Sequence, residues 1–234
     1  MNKRSKKVIV DYRITNEAVN SLSNYGFNVV FTKELGFLLE GLKGHTDLQI
    51  VKSGNKYVTC PECFDYYKSQ LNNEFVVCGA KSLSQNYPGD VAYNAVVTNR
   101  FAIHNFQFTD SVLKESITEK NLIEINTKQG YAKCSVCVIS DKAIITDDDD
   151  IYYKSSTHNI DVLKISKGTV KLNGFDYGFF GGATGLYKNI LFINGELKTH
   201  TDCILIEQFC KKHNVDIIEL KKGNLYDIGS ILFI

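Results

Sequence analysis

Proline, flexible linkers, net charge and long apolar runs are all scarce in this sequence. Two prolines occur in 234 residues and no Ser-, Gly- or Gln-rich stretch divides the chain, so a single domain over residues 1–234 is expected. Lysine plus arginine (27) and aspartate plus glutamate (26) nearly cancel to a formal charge of +1, which leaves no field to steer phosphates. No arginine-rich stripe interleaved with aromatics compensates, and nucleic acid is not an expected partner. No stretch approaches the roughly 18 apolar residues that span a bilayer. The basic start "MNKRSKK" is followed only by Val8-Ile9-Val10, too short for a signal-peptide core, so a cytoplasmic protein off the membrane is expected. Seven cysteines, an odd number, fit reduced thiols better than a disulfide framework.

What is present is a grammar that recurs about every forty residues: strand, tight turn, strand, capped amphipathic helix, strand. "DVAYNAVVTNRFAIHN" turns at Asn99-Arg100, "KCSVCVISDKAIITD" at Asp141-Lys142, and "TGLYKNILFING" at Lys188-Asn189. "DLQIVKSGNKYVTC" has a longer turn around Gly54-Asn55. Polar turns between β-branched and aromatic runs are hairpin signals. Helix signals follow each hairpin: Pro61 at a first helical position, Thr109 or Asp110 as a cap, Asp147 to Asp150, and Thr201-Asp202. Closing strands come next in "EFVVCGA", "NLIEIN", "NIDVLKI" and "VDIIEL". The N-terminal "KKVIVDY", the helix from Thr15 to Tyr25 and "FNVVFT" lack only a hairpin partner, which the C-terminal "GNLYDIGSILFI" supplies. The hairpins then begin near Gly44, Gly89, Gly130, Gly181 and Gly223. Propeller blades have no regular helix and helical repeats have no strands, so an α/β ring of five ββαβ units, closed by the first and last strands, is what remains.

That five-unit ring, with "GYAKCSVCVISDKAIITDDD", "GFFGGATGLY" and "LYDIGSILFI", resembles a bacterial branch of the penteins, the fold of the guanidino-group-modifying enzymes. The resemblance implies a five-bladed ββαβ propeller with pseudo-fivefold symmetry. It also implies an axial site where a last-repeat cysteine attacks a guanidinium carbon, a histidine moves protons and carboxylates hold the nitrogens. The enzymes' G-x-L-T-C pattern meets Gly223-Asn224-Leu225-Tyr226-Asp227, which puts Asp227 where the nucleophile belongs. Setting "GGATG" there puts Gly185 at that place. Tyr131 or Lys133 replaces the imidazole, and His45-Thr46-Asp47 looks like the enzymes' His-x-Asp pair but lies in the first repeat.

Strand alternation would set His45 and Asp47 on one face, level with Val91 and Tyr93 in the second repeat and with Lys133 and Ser135 in the third. A polar group of His45, Asp47, Tyr93, Lys133, Ser135 and Asp227 then converges at one mouth of the ring. A register shift of one would exchange Asn94 and Cys134 into it. The plainer readings are a solvated strand start for His45 and Asp47 and an ion-paired edge residue for Lys133. Cys60-Pro-Glu-Cys63 and Cys134-Ser-Val-Cys137 have zinc-like spacing, but residues three apart on a strand face opposite sides, so buried thiols and no metal are expected. "GFFGGATG" lacks the Gly-Lys-Ser/Thr of a phosphate loop, and close strand approach at the axis accounts for its glycines. Asp147 to Asp150 lack calcium-loop spacing and suit a helix N-terminus. His104, His158, His200 and His213 are expected in turns or on polar helix faces.

The leading functional expectation is a pentein that binds a small cationic or polar, guanidinium-like ligand in its axial cavity, without cofactor and without the usual amidino-transfer nucleophile. One alternative is a protein-interaction module comparable to the pentein ribosome anti-association factors. Another is a hydrolase of C–N bonds using Cys134 as a displaced nucleophile and His45 as proton carrier.

Overall fold

A computed structural model describes residues 6–71 and 75–234. It contains five three-stranded sheets, each built the same way. In chain order the elements are β1 (Lys6–Val10), α1 (Asn16–Asn24), β2 (Phe27–Phe31), α2 (Thr46–Gln49), β3 (Ile50–Ser53), β4 (Lys56–Thr59), α3 (Phe64–Leu71) and β5 (Val76–Cys78). They continue with β6 (Val96–Val97), β7 (Phe101–His104), α4 (Ser111–Glu119), β8 (Ile123–Asn126), α5 (Ala132–Ser135), β9 (Val136–Ser140), β10 (Ala143–Thr146), α6 (Asp149–Ser156) and β11 (Asp161–Lys164). The last are β12 (Thr184–Tyr187), β13 (Ile190–Ile193), α7 (Cys203–Lys212), β14 (Asp216–Glu219) and β15 (Leu232–Phe233).

Each two- or three-residue turn sets its flanking strands antiparallel, and each helical crossover returns the chain parallel to the second strand. Thus β3 pairs antiparallel with β4 and β4 parallel with β5, and the three following units repeat the pattern. The fifth unit is assembled from both chain ends: β15 lies antiparallel to β1 with Val8 opposite Phe233, and β1 lies parallel to β2. Gly54 (φ +63°) and Lys188 (φ +56°) supply left-handed turn residues.

The helices start where their caps stand. Thr15 accepts from Ala18 N–H, Asp110 from Val112 and Leu113 N–H, and Asp148 from Ile151 N–H. Within the run Asp147 to Asp150, Asp148 is the cap and Asp149 and Asp150 are first-turn acids that suit the helix dipole, while Asp147 is buried ahead of them. No helix among the described residues is long and apolar enough to cross a membrane.

Two expectations need correction. The chain does not run straight from each glycine into an inner strand: α2 and α5 are single helical turns, Gly181–Ala183 is a 3₁₀ turn, and Val91–Asn94 also turns. A helical turn rotates successive residues by about 100° rather than the 180° of a strand, which changes where each side chain points. Among the histidines, His104 is fully buried on β7, with Nδ1 2.6 Å from Thr109 Oγ1 and Nε2 2.9 Å from Gly130 O. Burial pulls its pKa down to about 4, and it is a neutral core residue. His200 is buried too, whereas Cys78 is the one exposed thiol among the described cysteines.

Asp110 is the busiest buried carboxylate, accepting from Ala80, Lys81, Val112 and Leu113 N–H at 2.8–3.2 Å. Asp110→Ala should cost on the order of 3–5 kcal/mol in denaturant unfolding, because four backbone donors, one of them fully buried, lose their acceptor at once. A loss below about 1 kcal/mol would show that water replaces the carboxylate without penalty.

Candidate functional site

The lead-in turns of four units bring their polar side chains to the axis. Asn94 Oδ1 accepts from Lys133 N–H (2.8 Å) and Cys134 N–H (3.2 Å), which anchors α5 beside the second unit. Asn94 Nδ2 donates to Cys134 Sγ at 3.3 Å, and Cys134 Sγ donates to Asp47 Oδ2 at 3.0 Å. Ser230 Oγ donates to the same carboxylate oxygen at 2.8 Å and receives Lys133 Nζ at 2.9 Å. Gly229 (φ +66°) and Ser230 (φ +74°) are consecutive left-handed residues, a strain of about 1–2 kcal/mol at the serine that turns its hydroxyl onto Asp47.

Asp227 is held from the other side, accepting Phe179 N–H and Gly229 N–H at 2.9 Å each. His45 Nε2 lies 3.7 Å from Asp227 Oδ1, beyond hydrogen bonding, and neither ring nitrogen of this buried histidine has a partner. Glycine makes the crowding tolerable: a Cβ on Gly182 would enter the Asp227 carboxylate, and one on Gly229 would sit 2.5 Å from His45 Cα.

This layer separates two chambers. One, about 450 Å³, is walled by the inner strands and reached by Thr46, Asp47, Lys133 and Ser230. The other, about 270 Å³, is floored by His45, Cys134 and Asp227 and walled by Leu42, Tyr131, Leu172, Phe175, Tyr177 and Phe179, with Asp176 on its lining. Phe179 stands between Tyr131 and Tyr177, with ring centroids 6.5 and 6.3 Å away. His45 and Asp47 therefore line opposite chambers, as do Cys134 and Lys133, instead of sharing one strand face. The helical turns are the cause.

Burial dominates the electrostatics. It depresses His45 to a neutral imidazole, with Asp47 and Asp11 pulling weakly the other way. Burial raises Asp47 against the attraction of His45 and Lys133. It raises Asp227 to about 6, resisted by the two backbone N–H groups. Cys134 is held as a thiol well above its usual range, first by burial and then by the charges of Asp47 and Asp227.

Of the residues singled out in the sequence, His45, Asp47, Asn94, Lys133, Cys134 and Asp227 meet at the axis. Tyr93 does not join through its hydroxyl, which donates to Lys81 O at 2.6 Å and lies 3.3 Å from Asp110. Ser135, one helical step past Cys134, keeps a buried hydroxyl with no partner and lines neither chamber. Ser230 and the aromatic walls other than Tyr131 escaped the sequence reading, although Gly229-Ser230 ahead of a terminal strand and "FDYGFF" were visible signals. His45, Asp47 and Cys134 are the one group among the described residues whose donor atoms, all within 4.8 Å, suit a metal ion.

A family model described as a family of unknown function (DUF6873) matches residues 9–232. No curated protein matches the sequence. Among solved structures, the chain is similar to a cysteine-to-serine mutant of DDAH from Pseudomonas aeruginosa complexed with citrulline, at 6% identity and a TM-score of 0.60, over 92% of this chain and 91% of that one. It is similar to inosamine-phosphate amidinotransferase from Streptomyces griseus at 9% identity and 0.51, over 92% and 88%. An agmatine deiminase from C. jejuni with substrate bound gives 8% identity and 0.52, over 92% and 87%. At such identities the likeness is one of fold, and that fold is the pentein ring of five ββαβ units.

The raised Asp227 carboxyl has a consequence for stability. The folded state keeps this proton between about pH 4 and pH 6 while the unfolded chain has lost it, so stability falls as pH rises through that window. The cost above it is about 3 kcal/mol. Asp147, also raised to about 6 by burial, acts in the same window, so the wild-type minus Asp227→Asn difference isolates Asp227. Parallel denaturant-derived stabilities of the two proteins from pH 4 to pH 7 would contradict the assignment.

Proposed function

Because the chain belongs to the DUF6873 family and folds as a pentein, we propose that its aromatic chamber binds a small organic cation of the guanidinium or amine class. One observation carries the reading: the chamber lining holds two carboxylates, Asp227 and Asp176, and four aromatic rings, with no lysine or arginine. A planar cation entering there meets Asp227 at the floor, whose oxygens are already aimed by Phe179 and Gly229 N–H, and ring faces at the walls. The neighbours named for DDAH with citrulline, agmatine deiminase and amidinotransferase are consistent with guanidino-type ligands. Asp47, the carboxylate favoured by the sequence, faces the other chamber and acts behind the floor rather than on the ligand.

A second reading, a thiol-dependent hydrolase, is favoured by Cys134 and His45 opening on the same chamber as Asp227. Its obstacle is the protonated resting thiol, which a bound cation would acidify by opposing the charges of Asp47 and Asp227.

A guanidine and amine panel should raise the melting temperature, by the equivalent of about 2.7 kcal/mol at a hundredfold excess over Kd. Asp227→Asn should abolish the shift and Asp47→Asn should largely keep it, while affinity weakens below about pH 6 as Asp227 takes up its proton. Flat melting curves across the whole panel would end this reading. For the hydrolase, an amidine-type electrophile should modify Cys134; labelling confined to exposed Cys78 would end that one.

A further inference from the structure

We infer that His45, Asp47 and Cys134 form a binding site for a divalent transition-metal ion of the zinc class, set in the floor between the two chambers. The three residues come from two units, and their donor atoms lie within 4.8 Å of one another. Tetrahedral zinc with bonds of about 2.0–2.3 Å separates its ligand atoms by roughly 3.3–3.8 Å, so side-chain shifts of about an ångström close the set.

The independent sign of a ligand is what these buried groups lack. Both His45 nitrogens and Asp47 Oδ1 are buried without a hydrogen-bond partner, an arrangement that costs free energy unless something occupies their lone pairs. The imidazole is neutral and available, and sulfur, nitrogen and oxygen together suit zinc better than magnesium or calcium. A second shell is already in place: Asn94 Nδ2 donates to Cys134 Sγ, Ser230 Oγ donates to Asp47 Oδ2, and Asp227 stands 3.7 Å from His45 Nε2. The fourth coordination position opens to the aromatic chamber, onto which His45 and Cys134 both face, and this also gives the ion its path in.

Charge supports the assignment. A divalent ion with one thiolate and one carboxylate is neutral, which leaves Asp227 and Asp176 free and the chamber still acidic. Lys133, the nearest ammonium, is engaged with Ser230 and lines the opposite chamber. The inference does not rest on the organic-cation reading. The two draw on different groups of one floor.

The metal-stripped full chain is titrated with Co²⁺ and Zn²⁺. Co²⁺ should give a thiolate-to-cobalt charge-transfer band saturating at a single ion per chain, displaced by Zn²⁺. Cys134→Ser should abolish the band and Cys60→Ser should keep it, which excludes the Cys60/Cys63 pair as the source. Asn94→Ala should weaken Zn²⁺ by about 10- to 100-fold in chelator competition while the ligands stay intact. Circular dichroism checks that each variant folds, and the wild-type titration stands without any variant. No cobalt band in the wild type, or a band that survives in folded Cys134→Ser, overturns the site. Running the organic-cation panel on the metal-stripped chain keeps the failure of one idea separate from the failure of the other.

Discussion

The structure depends on a steric constraint: five chain segments approach one axis, and at the closest point there is room for backbone and little else. Gly181 lies against the backbone of Cys134 and Val136, Gly182 against Asp227, Gly185 against Ile231 and Gly229 against His45. Where Gly182 and Gly229 cede the space, the polar residues Asp227 and His45 fill it, whereas Gly181 meets backbone and Gly185 meets Ile231. The buried polar layer is therefore a product of ring closure, because the lead-in turns must carry backbone hydrogen-bonding groups into the centre and something polar must meet them. Asn94 does this for α5, and Asp227 does it for Phe179 and Gly229.

Strand periodicity and turn chemistry made most of the ring readable. The turns at Asn99-Arg100, Asp141-Lys142 and Lys188-Asn189, the helix expected from Thr15 to Tyr25, the cap expected at Thr109 or Asp110, and the closing of the fifth unit by both termini all fall close to where local pattern put them. These features are set by neighbours in sequence, and a single chain displays them. The helical turns at Thr46–Gln49 and Ala132–Ser135 were not readable, since four residues carry no period that separates a turn of helix from the start of a strand. That ambiguity fell on the site itself. Counting in twos put Lys133 beside Ser135, whereas the helical step parts that pair and brings Cys134 onto Asp47; it also opens His45 and Asp47 onto different chambers while their donor atoms stay within 4.8 Å. Tyr93 lines the larger chamber although its hydroxyl bonds to Lys81, and Ser230 depends on two left-handed residues that strand logic does not anticipate.

The two chambers differ in charge because the layer between them is sorted. Lys133 and Ser230 turn toward the larger chamber and screen Asp47 there, while Asp227 faces the smaller one with only backbone N–H groups against it. Asp47 and Asp227 both sit above their ordinary pKa because burial outweighs the partners they have. A positive charge arriving in this layer, organic or metallic, relieves the same deficit.

Pseudo-symmetry also changes what a missing residue means. The resemblance to guanidino-group-modifying enzymes calls for a thiol on the last unit, and this chain has Asp227 there. In this fold the lead-in turns of different units bring side chains to one layer, so a group at the axis need not come from the last unit. Cys134 on the third unit and His45 on the first reach the floor shared with Asp227, although no linear comparison of the last repeat would have found them. The relevant comparison between such rings is thus the set of atoms at the axis, not the repeat from which each one comes. At its centre this chain holds a thiol, an imidazole and two buried carboxylates, and the Cys134 thiol donates to Asp47.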